Sequence, residues 1–275
     1  MRQRSDGIST TIMSEYRVNH EPVFMLASSP WRESSLWVEA FSRRYGRVAL
    51  LARSARKRQS ELRGVLVPFV PVSVSWYGSQ ELKTLHRAEW VGGWRQPQGR
   101  ALFGGLYVNE LVLKLTARED PMPELYDALA EVMEAVCCKA AYIGDLRRFE
   151  WRLLNLLGVA PDLNRDGDGG TIAAGGTYLV RPETAVFPVG KGFAVPPHAA
   201  GVAAPGQSLI DLRAGSFGSG QSLQDALKIT RLFIRHLLPE GLKSRQVLEQ
   251  IRQFDRKETA RETVPTSDGT ASNAV

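Results

Sequence analysis

The hydrophobic pattern of residues 22–91 is that of short β-strands. A compact apolar run covers 22–28, and apolar and polar residues alternate over 36–40, 48–52 and 72–76. A fifth strand is predicted over 82–91, whereas Pro68 and Pro71 place 65–71 at an edge or bulge, because proline cannot donate to a sheet ladder. Five strands with almost no helix favour a small closed barrel, which leaves no exposed sheet edge.

After Gly99 the apolar period becomes helical. One helix is predicted across 102–111, and a second carries an amphipathic stripe from Leu125 to Val136. Further helices are predicted from about Asp145 to Leu157, over 222–237 and over 245–254. The predicted fold class is therefore α+β multidomain, with a five-stranded barrel at residues 20–97 and an α-helical domain at 98–254.

Three segments break this pattern. Residues 161–219 are rich in glycine and proline and are predicted to form a loop-rich insertion, with short strands possible at Tyr178–Val180 and Phe193–Val195. Residues 1–19 and 255–275 are polar and without periodicity, so a disordered leader and a disordered tail are predicted.

Composition excludes several classes of protein. The two cysteines, Cys137 and Cys138, are adjacent, so they build neither a disulfide framework nor a four-ligand zinc site. No stretch approaches the roughly 20 apolar residues of a membrane helix, and the N-terminus lacks the apolar region of a signal peptide. We therefore expect a cytoplasmic protein without a membrane partner.

Signals for catalysis are poor. The four histidines lie in unrelated contexts, and no phosphate-binding glycine loop, nucleophile elbow or zinc-protease motif occurs. We expect no catalytic residue, metal or cofactor. A hydrolase hidden in the insertion is the enzymatic alternative, but it lacks a catalytic constellation.

The distribution of charge is more informative than its sum. Lys and Arg total 35 against 29 for Asp and Glu, a net charge of +6, and no acid interrupts residues 43–60. Clustered cations bind phosphates through charge and counterion release, without special spacing. The run predicts a DNA-binding surface, and the alternative is a solvated loop; its residues are Arg43, Arg44, Arg47, Arg53, Arg56, Lys57, Arg58 and Arg63.

Two other groups of side chains suggest ligands. Aromatic residues are interleaved with the basic run, and Trp31 and Tyr45, which fall in predicted turns, are candidates for base stacking. Most aromatics in strands belong to the core instead. Arg147, Arg148 and Arg152 are predicted to crowd one exposed side of the third helix, where they suit an acidic peptide or simply pair with Glu150.

The chain resembles the bacterial recombination mediator RecO family. The resemblance covers most of residues 21–250, and its segments follow the order found in the family. They are Pro30–Leu36, Gly46–Val48, Ala52–Lys57, Leu62–Gly64, Pro68–Phe69, Leu82–Leu85, Tyr107–Leu111, Leu146–Glu150 and Leu242–Arg245.

The resemblance implies an N-terminal OB-fold, a helical C-terminal domain and a bacterial protein that associates with the nucleoid during repair. It also implies binding of single- and double-stranded DNA, annealing of complementary strands and, with RecR, help for RecA on DNA coated with single-strand-binding protein. The acidic tail of that protein is expected on the helix of Arg147 and Arg148. Some members hold zinc through four cysteines in the insertion, which has no cysteine here. An adaptor with only weak DNA contact is the alternative.

Overall fold

The N-terminal part of the chain is a closed five-stranded β-barrel. The computed structural model describes residues 16–196 and 200–250. The strands follow the order β1-β2-β3-β5-β4 around the barrel, and the parallel pairing of β3 with β5 closes it. Their bounds are β1 Arg17–Trp31, β2 Ser35–Ser42, β3 Gly46–Ala52, β4 Pro71–Tyr77 and β5 Leu82–Trp90.

The alternating positions of the sequence supply the interior of this barrel. Every second residue of a strand points inward, and Val23, Val38, Leu50, Val74 and Trp76 are buried there together. The predicted barrel is confirmed. One expectation at its N-terminus is wrong, because residues 17–19 of the predicted leader are the first part of β1, in which Arg17 and Val18 pair with β4. Residues 1–15 lie outside the described part of the chain.

The helical part begins with three helices in close succession, as predicted. They are α1 Arg100–Leu115, α2 Pro123–Cys138 and α3 Ile143–Leu156. Their apolar stripes meet in one core that contains Leu111, Leu129, Met133 and Leu153. A longer helix, α5 (Gly220–Leu237), packs on α3, and residues 243–250 form the last described helix, α6. The remainder of its predicted span, 251–254, lies outside the described residues.

The segment 161–219 holds more regular structure than its composition predicts. A three-stranded antiparallel sheet has the order β7-β6-β8, with β6 Thr177–Val180, β7 Phe187–Val189 and β8 Val202–Pro205. Helix α4 (Gly206–Ala214) follows directly. The strand expected at Tyr178–Val180 is confirmed, whereas the one expected at Phe193–Val195 is wrong, since those residues have no regular structure.

The barrel, which has a core of its own, also packs against the core of the helices. Phe24 and Phe41 on the outer face of the barrel, and Phe69 just before β4, are at most 2% exposed and belong to the core of the helices. The side chain of Asn109 on α1 donates a hydrogen bond of 3.0 Å to the carbonyl of Met25 on β1. The barrel is therefore held directly against the helical body. No helix among the described residues is long and apolar enough to cross a membrane.

A glycine lies where the β2–β3 hairpin meets the loop between α1 and α2. Gly46 has a φ of 64°, and a Cβ at this position would collide with the backbone of Asp120. We expect Gly46→Ala to lower the free energy of unfolding by about 3 kcal/mol, because the left-handed backbone and the overlap both penalise a side chain. Urea denaturation would measure this loss. Gly64→Ala is the matched control, since no atom lies within 4 Å of its Cβ position, and an equal loss in both variants would contradict the contact.

Candidate functional site

Three of the eight predicted DNA-binding cations hold the fold together. Arg43 donates two hydrogen bonds to Asp127 of α2, at 3.0 and 3.1 Å. Arg44 pairs with the fully buried carboxylate of Glu21. A buried carboxylate needs such a partner, since taking its charge out of water is costly. These arginines therefore have structural partners; whether they also contact DNA stays a prediction.

Arg47 has a comparable structural role in the barrel. Its guanidinium bonds Glu39 at 3.2 Å and the carbonyl of Thr116, at the end of α1, at 3.0 Å. Only 17% of its side chain is exposed, so little of it is available to a ligand.

The remaining five cations lie on one loop between β3 and β4, which we call the basic loop (residues 53–63). All five side chains are exposed, and none forms an ion pair with another described residue. Glu61 is the one acidic residue of this loop, so the net charge of the loop is strongly positive. The five are Arg53, Arg56, Lys57, Arg58 and Arg63.

The basic loop is docked on the barrel. Ala55 is 1% exposed and packs into the barrel core. The Arg56 amide donates to Ser34 at 2.9 Å, and its guanidinium donates to the carbonyls of Arg32 and Glu33 in the β1–β2 turn. Cations on an ordered loop bind a polyanion with less loss of entropy than cations on a free one. The arrangement suits phosphate groups.

The two aromatic candidates differ in their surroundings. Tyr45 packs edge-on against Trp76, with ring centroids 5.3 Å apart, at one end of the barrel core. Trp31 instead remains 37% exposed at the end of β1 and contacts Trp37 on its neighbour β2. Of the two, Trp31 is the more exposed to solvent.

The three arginines of α3 do not share one exposed side, so that expectation is wrong. Arg148 bonds Asp145 at 2.8 Å and the carbonyl of Gly215 at 3.0 Å, and Arg152 pairs with Glu131 of α2. Arg147 is only 6% exposed and points to another side of the helix. Successive residues of a helix diverge by about 100°, so adjacent arginines reach different surfaces.

Arg147 borders an apolar cavity between four helices, which we call the arginine cleft. The cavity has a volume of about 380 Å³ and is open on one side. Its apolar wall consists of Phe103, Tyr107, Tyr142, Ile143, Leu146, Leu223, Leu227 and Leu248. Four arginines border this wall, namely Arg100 of α1, Arg147 of α3, Arg231 of α5 and Arg245 of α6.

A buried carboxylate organises the inner end of the arginine cleft. Glu150 is fully buried and pairs with Arg147 at 2.8 Å. It also accepts hydrogen bonds from the hydroxyl of Tyr107 at 2.6 Å and from that of Thr230. Helices α1, α3 and α5 are thereby joined at this carboxylate. The Nε of Arg147 is buried without a partner in the described structure.

The electrostatics of the arginine cleft favour an anion. No described acidic side chain forms an ion pair with Arg100, Arg231 or Arg245. Burial, together with the charges of Arg245 and Arg147, lowers the pKa of Arg231 from its usual value. Arginine keeps its charge at neutral pH even so, and an anionic ligand would relieve the repulsion. An apolar cavity rimmed by such cations suits a ligand with an apolar end and a carboxylate.

Cys137 does not add a reactive group to either site. Burial, with the neighbouring Cys138, raises the pKa of the Cys137 thiol to about 11. A thiol is nucleophilic as its thiolate, so Cys137 is a poor nucleophile at neutral pH. Among the described residues, no group of three or more His, Cys, Asp or Glu side chains is placed to hold a metal ion.

The sequence did not point to Arg100, Arg231 and Arg245 as site residues. They come from three different helices, and Arg100 is more than 100 positions from the other two along the chain. The apolar neighbours gave no signal either, because helical spacing assigns them equally well to the core. Only the packing of the helices brings these arginines together.

The closed five-stranded barrel and the helices that follow it define an OB-fold protein with a helical C-terminal body. This protein carries two cationic surfaces. Comparison with known families makes this more specific. Residues 13–94 match the family described as "Recombination protein O N terminal", and 96–246 match "Recombination protein O C terminal". The chain therefore belongs to the RecO family, and its role is in DNA repair and recombination.

Individual relatives agree with this family. The chain is 97% identical over 263 residues to the DNA repair protein RecO of Neisseria meningitidis serogroup B, covering 96% of this chain and 100% of the relative. It is 81% identical to that of Neisseria gonorrhoeae strain FA 1090, covering 89% and 99%. The RecO protein of Chromobacterium violaceum is 41% identical, covering 86% and 97%.

A carboxylate of α1 holds the N-terminus of α6, which forms one wall of the arginine cleft. Glu110 accepts hydrogen bonds from the backbone amides of Lys243 at 2.8 Å and Ser244 at 2.9 Å. Burial by itself raises the pKa of Glu110, but these amides and Lys114 outweigh it, so the pKa lies below its ordinary value of 4.5. The negative charge also suits the positive end of the helix dipole.

We expect Glu110→Gln to destabilise the protein, and this loss to depend on pH. Because the folded pKa is depressed, the carboxylate contributes its stability fully above the unfolded pKa near 4.5 and loses it as the pH falls through the lower folded value. Urea denaturation of parent and variant from pH 7 to pH 3 would measure this difference. Glu249→Gln, on the exposed side of the same helix, should change little, and a difference that persists unchanged at pH 3 would contradict the assignment.

Proposed function

We propose that this chain is a recombination mediator that binds DNA through its barrel and the tail of single-strand-binding protein through its helical body. On this proposal it binds single- and double-stranded DNA, anneals complementary strands and, together with RecR, assists RecA on DNA coated with single-strand-binding protein. It acts by binding and does not turn over a substrate. The separation of the two cationic surfaces on different parts of the fold carries the proposal.

The basic loop supports the DNA-binding half. Five exposed cations without acidic partners in the described structure lie within eleven residues, and phosphate contacts of this kind do not depend on base sequence. Arg43, Arg44 and Arg47 are engaged in the fold, so the basic loop is the main candidate. Two strands held by their phosphates keep their base edges free to pair, which is what annealing requires.

The arginine cleft supports the protein-binding half. A peptide that ends in an apolar ring and a free carboxylate, preceded by aspartates, matches it chemically. The ring would occupy the cavity beside Phe103 and Leu227, while Arg147 and Arg245 would meet the carboxylates. Arginine is suited to this role, because its planar fork can bond a carboxylate with two hydrogen bonds.

One observation favours the alternative function, which is that of an adaptor with only weak DNA contact. Three of the eight predicted DNA-binding arginines already bond acidic partners within the fold. This lowers the number of cations available to phosphates. Salt-dependent binding of a single strand separates the two functions, because phosphate contacts release counterions and an adaptor without them would show little salt dependence.

We expect replacement of Arg56, Lys57 and Arg58 by alanine to weaken single-strand binding and to flatten its dependence on salt. Each lost phosphate contact lowers the slope of log affinity against log salt by about 0.7 for a single strand. The measurement is fluorescence anisotropy with a labelled oligonucleotide across a salt series. A variant with Arg165, Lys191 and Arg235 replaced by alanine removes equal charge from exposed positions elsewhere and should keep the parental slope. Equal slopes in both variants would contradict a specific role for the basic loop.

We expect Arg245→Glu to weaken binding of the tail peptide by about one to two decades, as loss of a charged hydrogen bond costs about 1–3 kcal/mol. Isothermal titration calorimetry with a synthetic acidic peptide ending in phenylalanine would measure this. Arg148→Glu reverses the same charge on another surface of α3 and is the control. If Arg148→Glu weakens binding of the peptide as strongly as Arg245→Glu does, the binding site is not the arginine cleft.

A further inference from the structure

An exposed tryptophan lies beside the basic loop. Trp31 is the last residue of β1, and 37% of it is accessible to solvent. It pairs in register with Ser35 across the tight β1–β2 turn. A large apolar ring of this kind gains about 2 kcal/mol or more when it is buried, so the fold leaves a substantial stacking surface unused.

Trp31 packs against a second tryptophan, Trp37, which is held in place by Glu39 and Arg118. The ring centroids of Trp31 and Trp37 are 5.3 Å apart. The indole Nε1 of Trp37 donates to Glu39 at 2.9 Å, and the guanidinium of Arg118 lies 5.7 Å from the centroid of the Trp37 ring. Arg118 is itself paired with Glu39. The inner ring is therefore fixed, and it supports the outer one.

The basic loop is bonded to the turn that follows Trp31. Residues 32–34 of this turn accept hydrogen bonds from Arg56, through Arg56's amide to Ser34 and its guanidinium to Arg32 and Glu33. The cations of residues 56–58 are thus next to the turn that begins one residue after Trp31. Glu33 adds one negative charge to this turn, which the five cations of the loop exceed.

We propose that Trp31, supported by Trp37, is a stacking platform for an unpaired base of a nucleic-acid strand whose phosphates lie on the basic loop. This proposal rests on the DNA-binding half of the proposed function and narrows its ligand to unpaired bases at this position. Aromatic rings beside a cationic groove hold single strands in this manner, since every base offers a flat face and no sequence is selected. A base in a duplex is already stacked and paired, so the platform distinguishes single strands from duplexes.

The test compares three ligands of equal length, which are oligo-dT, an abasic strand and a duplex. We expect Trp31→Ala to weaken the binding of oligo-dT by about fivefold or more, which is the low end of the effect of losing one base–aromatic stack. Binding of the duplex and of the abasic strand should be unchanged, because both are held by phosphates. Trp31→Phe should restore most of the oligo-dT affinity, whereas Trp31→Leu, which keeps an apolar contact to Trp37, should not.

The control is Trp90→Ala, since Trp90 is 56% exposed on β5 and pairs with Val72, away from the β1–β2 turn. It should leave all three ligands unaffected. If Trp31→Ala does not fold, Trp31→Leu and Trp31→Phe can be compared instead, because they too differ in the presence of an aromatic ring.

Each other outcome overturns the platform. If Trp31→Ala binds oligo-dT as tightly as the parent does, while the variant at Arg56, Lys57 and Arg58 binds it clearly more weakly, the stacking platform is refuted. The proposal that the basic loop binds DNA is then unaffected. Equal weakening of oligo-dT and the abasic strand would make Trp31 a merely structural residue. Unchanged binding in both variants, or no binding by the parent, would remove the proposed DNA site together with the platform.

Discussion

The burial of one aromatic face of the barrel against helices α1 and α2 is the contact on which the rest of the structure depends. Phe24 and Phe41 point outward from the barrel strands, and Phe69 precedes β4, yet all three are fully or almost fully buried in the core of the helices. Each such side chain stabilises the arrangement by about 1.5–3 kcal/mol relative to exposure. Gly105 on α1 allows the approach, since a Cβ there would overlap the ring of Phe69.

This contact determines how the cations of the chain are used. Where barrel and helices meet, Arg43 pairs with Asp127 of α2, and Arg47 bonds both Glu39 of the barrel and the carbonyl of Thr116. Away from this contact, the cations of the basic loop and of the arginine cleft lack acidic partners among the described residues, apart from Arg147 with Glu150. The paired arginines stabilise the fold, and the others remain available for anionic ligands.

The sequence predicts the barrel and the helices well, because both rest on local periodicity. Alternating residues in β2, β3 and β4 and the apolar stripe of α2 are patterns that tertiary contacts reinforce. The sheet within 161–219 is different. Its strands span only three or four residues, and Tyr178, Val180 and Ala204 become ordered by packing into the helical core. Turn-forming residues such as Pro205 and Gly206 instead precede and begin helix α4.

The candidate sites likewise differ in how far local sequence predicts them. The basic loop is continuous in sequence, so its charge is visible in the chain, although the partners of Arg43, Arg44 and Arg47 are not. Those partners come from distant segments, for example Glu21 and Asp127. The arginine cleft draws on four helices, and adjacent Arg147 and Arg148 diverge because of the helical turn. No spacing rule can supply such contacts, since they arise only when the helices pack.

We propose that the chain carries two independent anion-binding sites, one for DNA and one for an acidic peptide. The most direct test is fluorescence anisotropy of the labelled tail peptide, titrated with the protein in the absence and presence of saturating unlabelled oligonucleotide. At about 0.15 M salt, screening over about 8 Å suppresses repulsion between separated ligands. We expect the same peptide affinity in both titrations and one complex that contains both ligands. Stoichiometric displacement of the peptide by the oligonucleotide would contradict it, since both ligands would then occupy a single site.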